Sequence, residues 1–145
     1  MTVDLFAGVP VRDLAVATDW YERLFGAPPQ FRPDDSEAVW ELAEHRYLYV
    51  DVRPEHAGHA MQTVFVDDLD SRVAAIAARG LTPTAQETYD NGVRKVIFHD
   101  PDGNEIGFGG GPGRPGRPRA AARPGRRRPP QTPRGPEEPP PRGVV

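Results

Sequence analysis

Four histidines are the side chains whose type suits acid–base or metal chemistry near neutral pH. His56 and His59 lie three residues apart after Pro54, a spacing that two ligands of one metal ion can have. No carboxylate or cysteine stands at a ligand spacing beside them, so two solvated loop histidines are the favoured interpretation. His45 falls in a turn, which favours a surface position. His99 precedes the last turn, where a general base and a hydrogen-bonding turn residue both remain open interpretations.

Several kinds of active site are excluded by residues and motifs that the chain lacks. The chain contains no cysteine, which excludes disulfides, cysteine-ligated zinc and thiol catalysis. It also lacks a nucleophile–base signature, a P-loop and a G-x-G-x-x-G turn. Residues 109–111 are all glycine, and we interpret them as a linker because no helix follows them.

Aromatic and apolar residues in alternating segments suggest a pocket for a small molecule instead. Side chains of a strand point alternately to its two faces, so Tyr47, Tyr49 and Asp51 share one face. In the preceding segment Trp40 shares a face with Ala38 and Leu42. The same alternation predicts that a cleft is lined by Phe6, Met61, Thr63 and Phe65. Such a pocket favours planar or cationic ligands, although the same residues also suit a filled cleft or a dimer interface.

These segments belong to an internal repeat with an offset of 55 residues. Val11-Arg12-Asp13-Leu14 recurs as Val66-Asp67-Asp68-Leu69, after an alternating segment that predicts a strand. The first helix is expected from Asp13, its N-cap, to Gly26, and the second from Asp68 or Asp70 to Gly80. Further strands are predicted at 30–32, 37–42 and 47–53, and at 83–88, 93–99 and 104–108. The predicted fold class is α+β, with two tandem βαβββ units forming a curled mixed sheet around a cleft.

The domain is predicted to span residues 1–108, because residues 109–145 differ sharply in composition. This tail holds 11 Pro and 8 Gly and too few apolar side chains to offset its ordering entropy, so we expect it to be disordered. It carries nine Arg and two Glu, whereas residues 1–108 have nine basic and 19 acidic residues, a net charge of −10. An acidic domain is a poor partner for nucleic acid, which leaves only the tail, with Arg126-Arg127-Arg128, to bind nucleic acid or an acidic membrane. The favoured interpretation of the tail is a solvated extension, or one that folds back on the acidic domain.

Taken in order, the motifs resemble the vicinal oxygen chelate superfamily of glyoxalases, bleomycin-resistance proteins and extradiol dioxygenases. The resemblance covers about residues 3–109 and rests chiefly on Asp100-Pro101-Asp102-Gly103-Asn104 and the strand after it. The two V-x-D-L helix starts and Trp20-Tyr21 before Leu24-Phe25-Gly26 also agree. The resemblance implies paired βαβββ units and, in metal-dependent members, a divalent cation held by strand residues, usually His and Glu.

At the positions that the resemblance assigns to three of these ligands, the sequence has Phe6, Met61 and Gly107. Phenylalanine and glycine side chains offer no donor, and a thioether is a soft donor poorly matched to a hard cation. A displaced metal site that keeps the strand parity would consist of Asp4, His59 and Glu105. The first interpretation predicts no metal and no cofactor, and the displaced site is its alternative.

The leading hypothesis is therefore a metal-independent protein that binds or sequesters a small molecule. Its predicted ligand-binding residues are Phe6, Trp40, Tyr49, Met61, Thr63 and Gly107. The alternatives are a metal-dependent lyase, isomerase or dioxygenase-type enzyme using the displaced site, and an interaction module acting through the tail. The resemblance also allows a homodimer, with the cleft completed in one chain or across two. The absence of a secretory segment and of a membrane-length apolar run predicts a cytoplasmic protein without a membrane partner.

Overall fold

The computed structural model describes residues 1–111, so the predicted basic tail from residue 112 onward lies outside the described residues. The elements in chain order are β1 (Leu5–Val11), α1 (Leu14–Phe25), β2 (Glu37–Ala43), β3 (Arg46–Val52), β4 (Met61–Phe65), α2 (Leu69–Ala78), β5 (Ala85–Thr88), β6 (Arg94–His99) and β7 (Glu105–Gly110). A 3-10 turn at Pro54–His56 connects the two units. Neither helix within residues 1–111 is long and apolar enough to cross a membrane.

The first helix begins and ends where the sequence predicts. Asp13 is the N-cap, and its carboxylate accepts a hydrogen bond from the Val16 N–H at 3.0 Å, which satisfies one of the amide groups that a helix start leaves free. Gly26 ends the helix at φ 74, a left-handed conformation that glycine adopts without a steric penalty. The helix presents to the core Ala17, Thr18, Tyr21 and Leu24.

The strands form two mixed sheets with equivalent pairing. The first has the order β1-β3-β2, with β1 parallel to β3, and the second has the order β4-β7-β6-β5, with β4 parallel to β7. In each unit the first strand therefore pairs with the last, and Phe6 faces Tyr47 as Met61 faces Glu105. This confirms the predicted α+β fold of two βαβββ-like units, built as two separate sheets of three and four strands.

Most strands begin or end one or two residues from their predicted bounds, and two segments differ in a way that affects the sheets. Segment 30–32 forms only an isolated bridge between Phe31 and Val39, and the first sheet consequently has three strands. Pro29 and Pro33 flank this segment, and proline has no N–H to donate to a sheet, which limits the pairing to one bridge. At the other end, β7 continues to Gly110 through two of the glycines that composition assigns to the linker.

One hydrophobic core lies between the helices and the two sheets. It contains, among others, Val9, Val11, Leu48 and Val50 of the first sheet, Val96, Phe98, Ile106 and Phe108 of the second, and Tyr21, Leu24, Leu69 and Ile76 of the helices. Because both units contribute to one cluster, burial of this apolar surface stabilises them together as a single domain.

The D-P-D-G-N turn before β7 is ordered by its own first carboxylate. Asp100 is buried, and its Oδ1 accepts hydrogen bonds from the N–H groups of Asp102 and Asn104, both at 2.9 Å. Gly103 has φ 96, which explains why glycine occupies this position of the turn. The Asp100 carboxylate therefore fixes the local conformation of the turn.

The side chain of Asn104 then ties the turn to two other segments. Fully buried, it accepts from the N–H groups of Gly58 and Ala60 at 3.0 Å each. Its Nδ2 donates to the Pro10 carbonyl of β1 and to Asp100 Oδ2, both at 2.8 Å. The first strand, the connection between the units and the last turn are thus held by one amide group.

Candidate functional site

Each sheet has a face that points away from the helices. The first open face consists of Phe6, Gly8, Pro10, Glu37, Val39, Glu41, Tyr47, Tyr49 and Asp51. The second open face consists of Met61, Thr63, Phe65, Lys95, Ile97, His99, Glu105, Gly107 and Gly109. Strand parity and register place these residues side by side, so the two faces are the surfaces on which a ligand can meet the sheets.

An aromatic pair forms an exposed part of the first open face. The rings of Phe6 and Tyr47 stack with centroids 4.4 Å apart and an interplanar angle of 9°. Phe6 nevertheless remains 47% exposed. Desolvation, and then the charges of Glu41, Asp4 and Glu44, raise the pKa of Tyr47, so its hydroxyl is a neutral group at physiological pH. The pair offers a flat surface for a planar or cationic group.

Tyr49 lies across the backbone of its parallel partner, Gly8. A Cβ atom at Gly8 would stand 2.7 Å from the Tyr49 hydroxyl oxygen, so a side chain there would push the tyrosine away. Two residues further along β3, the buried carboxylate of Asp51 accepts from Arg53 Nε at 2.6 Å. This contact raises the pKa of Arg53 and keeps a charged, paired group beside the aromatic surface.

On the second open face, two glycines of β7 make room for side chains from the neighbouring strands. A Cβ atom at Gly107 would lie 2.5 Å from Cε of Lys95, and one at Gly109 would lie 2.7 Å from the ring of Phe65. Lys95 therefore reaches across β7 from β6, while Phe65 reaches across it from β4. The Lys95 side chain is 13% exposed, and its Nζ lies 3.9 Å from Glu105 Oε2.

Lys95 is a residue that the sequence analysis does not single out. Its signal in the sequence is that it is the only lysine among 18 basic residues. Alternation with the buried Val96 also assigns it to the face away from the core. Its position above Gly107 depends on the register between β6 and β7, which the sequence does not reveal.

Five of the six predicted binding residues lie on the open faces. Phe6 and Tyr49 belong to the first face, whereas Met61, Thr63 and Gly107 are neighbours on the second, with Thr63 directly opposite Gly107. Met61 is 55% exposed, which is unusual for so apolar a side chain. Within one chain the structure therefore distributes these residues between two surfaces.

Trp40, the sixth residue, lies on the core side of its sheet. It is 2% exposed, and its ring centroid lies 5.8 Å from that of Tyr21 and 5.9 Å from that of Phe25. Its indole Nε1 donates to the Ala27 carbonyl at 2.9 Å. Packing against α1 therefore accounts for Trp40, which does not reach either open face.

Two of the four histidines, His45 and His99, make side-chain hydrogen bonds. His45 Nδ1 lies 2.6 Å from Asp4 Oδ1, and His99 Nδ1 lies 2.5 Å from Thr84 Oγ1 at the edge of the second open face. His56 and His59 are exposed in the connection between the units. These contacts explain His45 and His99 by hydrogen bonding.

The residues at the expected metal positions do not fit a divalent cation. Phe6, Met61 and Gly107 supply no hard donor, and residues 1–111 contain no group of three His, Cys, Asp or Glu side chains that could hold an ion. The displaced set is not assembled either, because Asp4 pairs with His45 while Glu105 faces Lys95.

Comparison with known proteins agrees with this fold. A model of the family described as Glyoxalase/Bleomycin resistance protein/Dioxygenase superfamily matches residues 3–108. The crystal structure of a glyoxalase/bleomycin resistance protein from Catenulispora acidiphila DSM 44928 is 55% identical, with a TM-score of 0.74, covering 77% of this chain and 100% of that chain. No curated protein matches the chain.

More distant solved structures share the fold alone. A bleomycin-binding protein complexed with bleomycin is 22% identical, with a TM-score of 0.63, over 77% of this chain and 100% of that chain. A lactoylglutathione lyase from Agrobacterium tumefaciens is 17% identical, with a TM-score of 0.62, over 77% of this chain and 95% of that chain. One of these neighbours is named for ligand binding and the other for catalysis, so the fold does not decide between them.

Proposed function

Because the chain belongs to the glyoxalase/bleomycin resistance protein/dioxygenase superfamily, as its motifs predict, we propose that it binds a small organic molecule on its open faces without a metal ion. Phe6, Met61 and Gly107 carry this proposal, since they occupy the positions where metal-dependent relatives are expected to hold their cation. The fold is retained, whereas the donors are replaced by two apolar side chains and a glycine. We therefore assign a binding or sequestering role.

The chemistry of the two open faces supports an organic ligand. Phe6 and Met61 are both about half exposed, although burying either would be favourable. The stacked ring of Tyr47 widens the flat surface of Phe6, and the Tyr49 hydroxyl and Asp51 carboxylate stand along the same strand. An apolar surface with a few polar groups at its margin is typical of small-molecule sites.

A homodimer is part of the proposal. One chain carries its open faces on two separate sheets, and each face leaves a large apolar side chain exposed. A second copy that covers them would bury this surface and give the ligand walls on both sides. The cytoplasmic location stays a prediction.

The experiment combines metal analysis with ligand binding. Protein purified without chelators is analysed for transition metals, and metal-free bleomycin is titrated into it by calorimetry with and without EDTA. We expect substoichiometric metal and the same binding curve in both titrations. Phe6→Ala should weaken binding, whereas Val16→Ala, on the exposed side of α1, should leave it unchanged.

Two results would contradict the proposal. One is a tightly held Ni, Zn, Fe or Mn ion at one per chain. The other is loss of binding in EDTA, since a metal-independent site has no reason to respond to a chelator. If bleomycin does not bind, titration with benzoate and benzamide tests the second open face with smaller probes.

A further inference from the structure

We propose that Lys95 and Thr63, which approach Gly107 from the two strands beside it, bind the carboxylate of an organic ligand on the second open face. The inference deepens the proposed function, on which it rests, by naming the class of ligand. Gly107 pairs directly with Thr63 of β4, and the Lys95 chain crosses it from β6. The ammonium and the hydroxyl therefore flank one bare stretch of β7.

The ammonium group of Lys95 has a distant ion-pair partner and unused hydrogen-bond donors within residues 1–111. An ammonium has three N–H donors, and within residues 1–111 Nζ makes no hydrogen bond. Its partner, Glu105 Oε2, is 3.9 Å away, well beyond the usual hydrogen-bond length of about 2.7–3.2 Å. The side chain is 13% exposed, and Nζ is not one of the fully buried polar atoms, so a ligand on this face can reach the ammonium. A cation in this state gains from a ligand oxygen placed beside it.

Gly107 is what gives Lys95 this position. Any Cβ there would collide with Lys95 Cε at 2.5 Å and displace the end of the side chain. The residue that removes an expected metal ligand is thus also the one that admits the ammonium. The positive charge on this face therefore comes from the Lys95 side chain and not from a bound metal ion.

The surroundings favour a carboxylate on an apolar ligand. Met61 and Phe65 stand on β4 on either side of Thr63, so the anion would be flanked by apolar side chains. Glu105, near the ammonium, would repel a doubly charged phosphate more strongly than a carboxylate. Residues 1–108 carry a net charge of −10, so long-range attraction cannot select an anion. At physiological salt such charges are screened beyond about 8 Å, and selection is local.

The test uses the fact that Lys95 is the only lysine and Met61 one of two methionines. Protein labelled with carbon-13 at lysine Cε and methionine Cε gives one lysine signal and two methyl signals by NMR. Benzoate and its neutral amide, benzamide, are titrated separately at physiological salt. We expect a saturable shift of the Lys95 signal with benzoate only. The variants are Lys95→Gln, Lys95→Arg, Thr63→Val and Glu105→Gln.

Lys95→Gln should bind benzoate about tenfold or more weakly and lose the preference for benzoate over benzamide, as expected when a charged hydrogen bond is lost. Lys95→Arg should keep the preference, Thr63→Val should weaken it, and Glu105→Gln should strengthen benzoate binding by removing the competing carboxylate. An unshifted Lys95 signal with benzoate, or a preference that survives in Lys95→Gln, overturns the inference. If benzamide and benzoate both shift Met61 alone, the proposed binding function stands while the carboxylate site fails. If neither probe shifts either signal, the carboxylate site and the proposed binding function both fail at the second open face.

Discussion

The hydroxyl of Tyr21 donates a hydrogen bond to the carboxylate of Asp100 at 2.9 Å, across 79 residues of sequence. Both side chains are buried. Tyr21 belongs to the helix of the first unit, and Asp100 orders the turn before the last strand of the second. This bond therefore connects the two units in their common core.

Tyr21→Phe removes only the hydroxyl and leaves one oxygen of a buried carboxylate short of a donor. We expect the free energy of unfolding to fall by about 1–3 kcal/mol, measured by urea denaturation with coincident fluorescence and circular dichroism. Tyr47→Phe, on the first open face, is the matched control and should change stability by less than about 0.5 kcal/mol. Equal effects of the two variants would show that the Tyr21 bond does not stabilise the domain.

The same pair predicts an alkaline pH dependence. Burial, and then the charge of Asp100, raise the pKa of Tyr21 above its ordinary value of 10.0. Below pH 10 the Tyr21 hydroxyl is protonated in the folded and the unfolded chain, so its contribution to the free energy of unfolding is complete. Above pH 10 only the unfolded chain releases this proton. Stability should thus fall by up to about 1.4 kcal/mol per pH unit above pH 10 from this group. Tyr21→Phe should show a shallower decline between pH 9 and 11, and parallel curves would contradict the assignment.

Asn104 should be the most sensitive polar residue of the domain. Asn104→Ala leaves the N–H groups of Gly58 and Ala60 and the Pro10 carbonyl without their partner, so we expect a loss of about 3 kcal/mol or more. Asn104→Asp keeps the acceptor but sets a second carboxylate beside Asp100. Its destabilisation should be relieved on moving from pH 7 to pH 5, as one of the two carboxyls takes up a proton. A loss that is independent of pH would count against this explanation.

Two phenylalanines should separate stability from binding. Phe98 is 1% exposed in the core, and Phe98→Ala should cost about 3–5 kcal/mol. Phe6→Ala removes a half-exposed ring and should cost less than about 1 kcal/mol, while weakening ligand binding and self-association. Denaturation, calorimetry and analytical ultracentrifugation of both variants measure the three properties. A Phe6→Ala protein that binds and associates normally would remove the first open face from the proposed site.

Local signals made much of the fold predictable. The capping of α1 by Asp13, its end at Gly26 and the turn at residues 100–104 each depend on residues a few positions apart, whose backbone preferences act wherever the segment lies. Trp40 shows the limit of such reasoning. Strand parity assigns it to a face, but only packing against Tyr21 and Phe25 decides that this face belongs to the core.

The sequence alone determined that two βαβββ-like units repeat and that Phe6, Met61 and Gly107 cannot supply hard metal ligands, because both conclusions follow from residue type and order. Only the tertiary structure decided what replaces those donors. Lys95 lies over Gly107 because β6 and β7 pair in one particular register, and the two units join through the side chains of Asn104 and Tyr21. These contacts join residues far apart in sequence, and local backbone preferences carry no information about them.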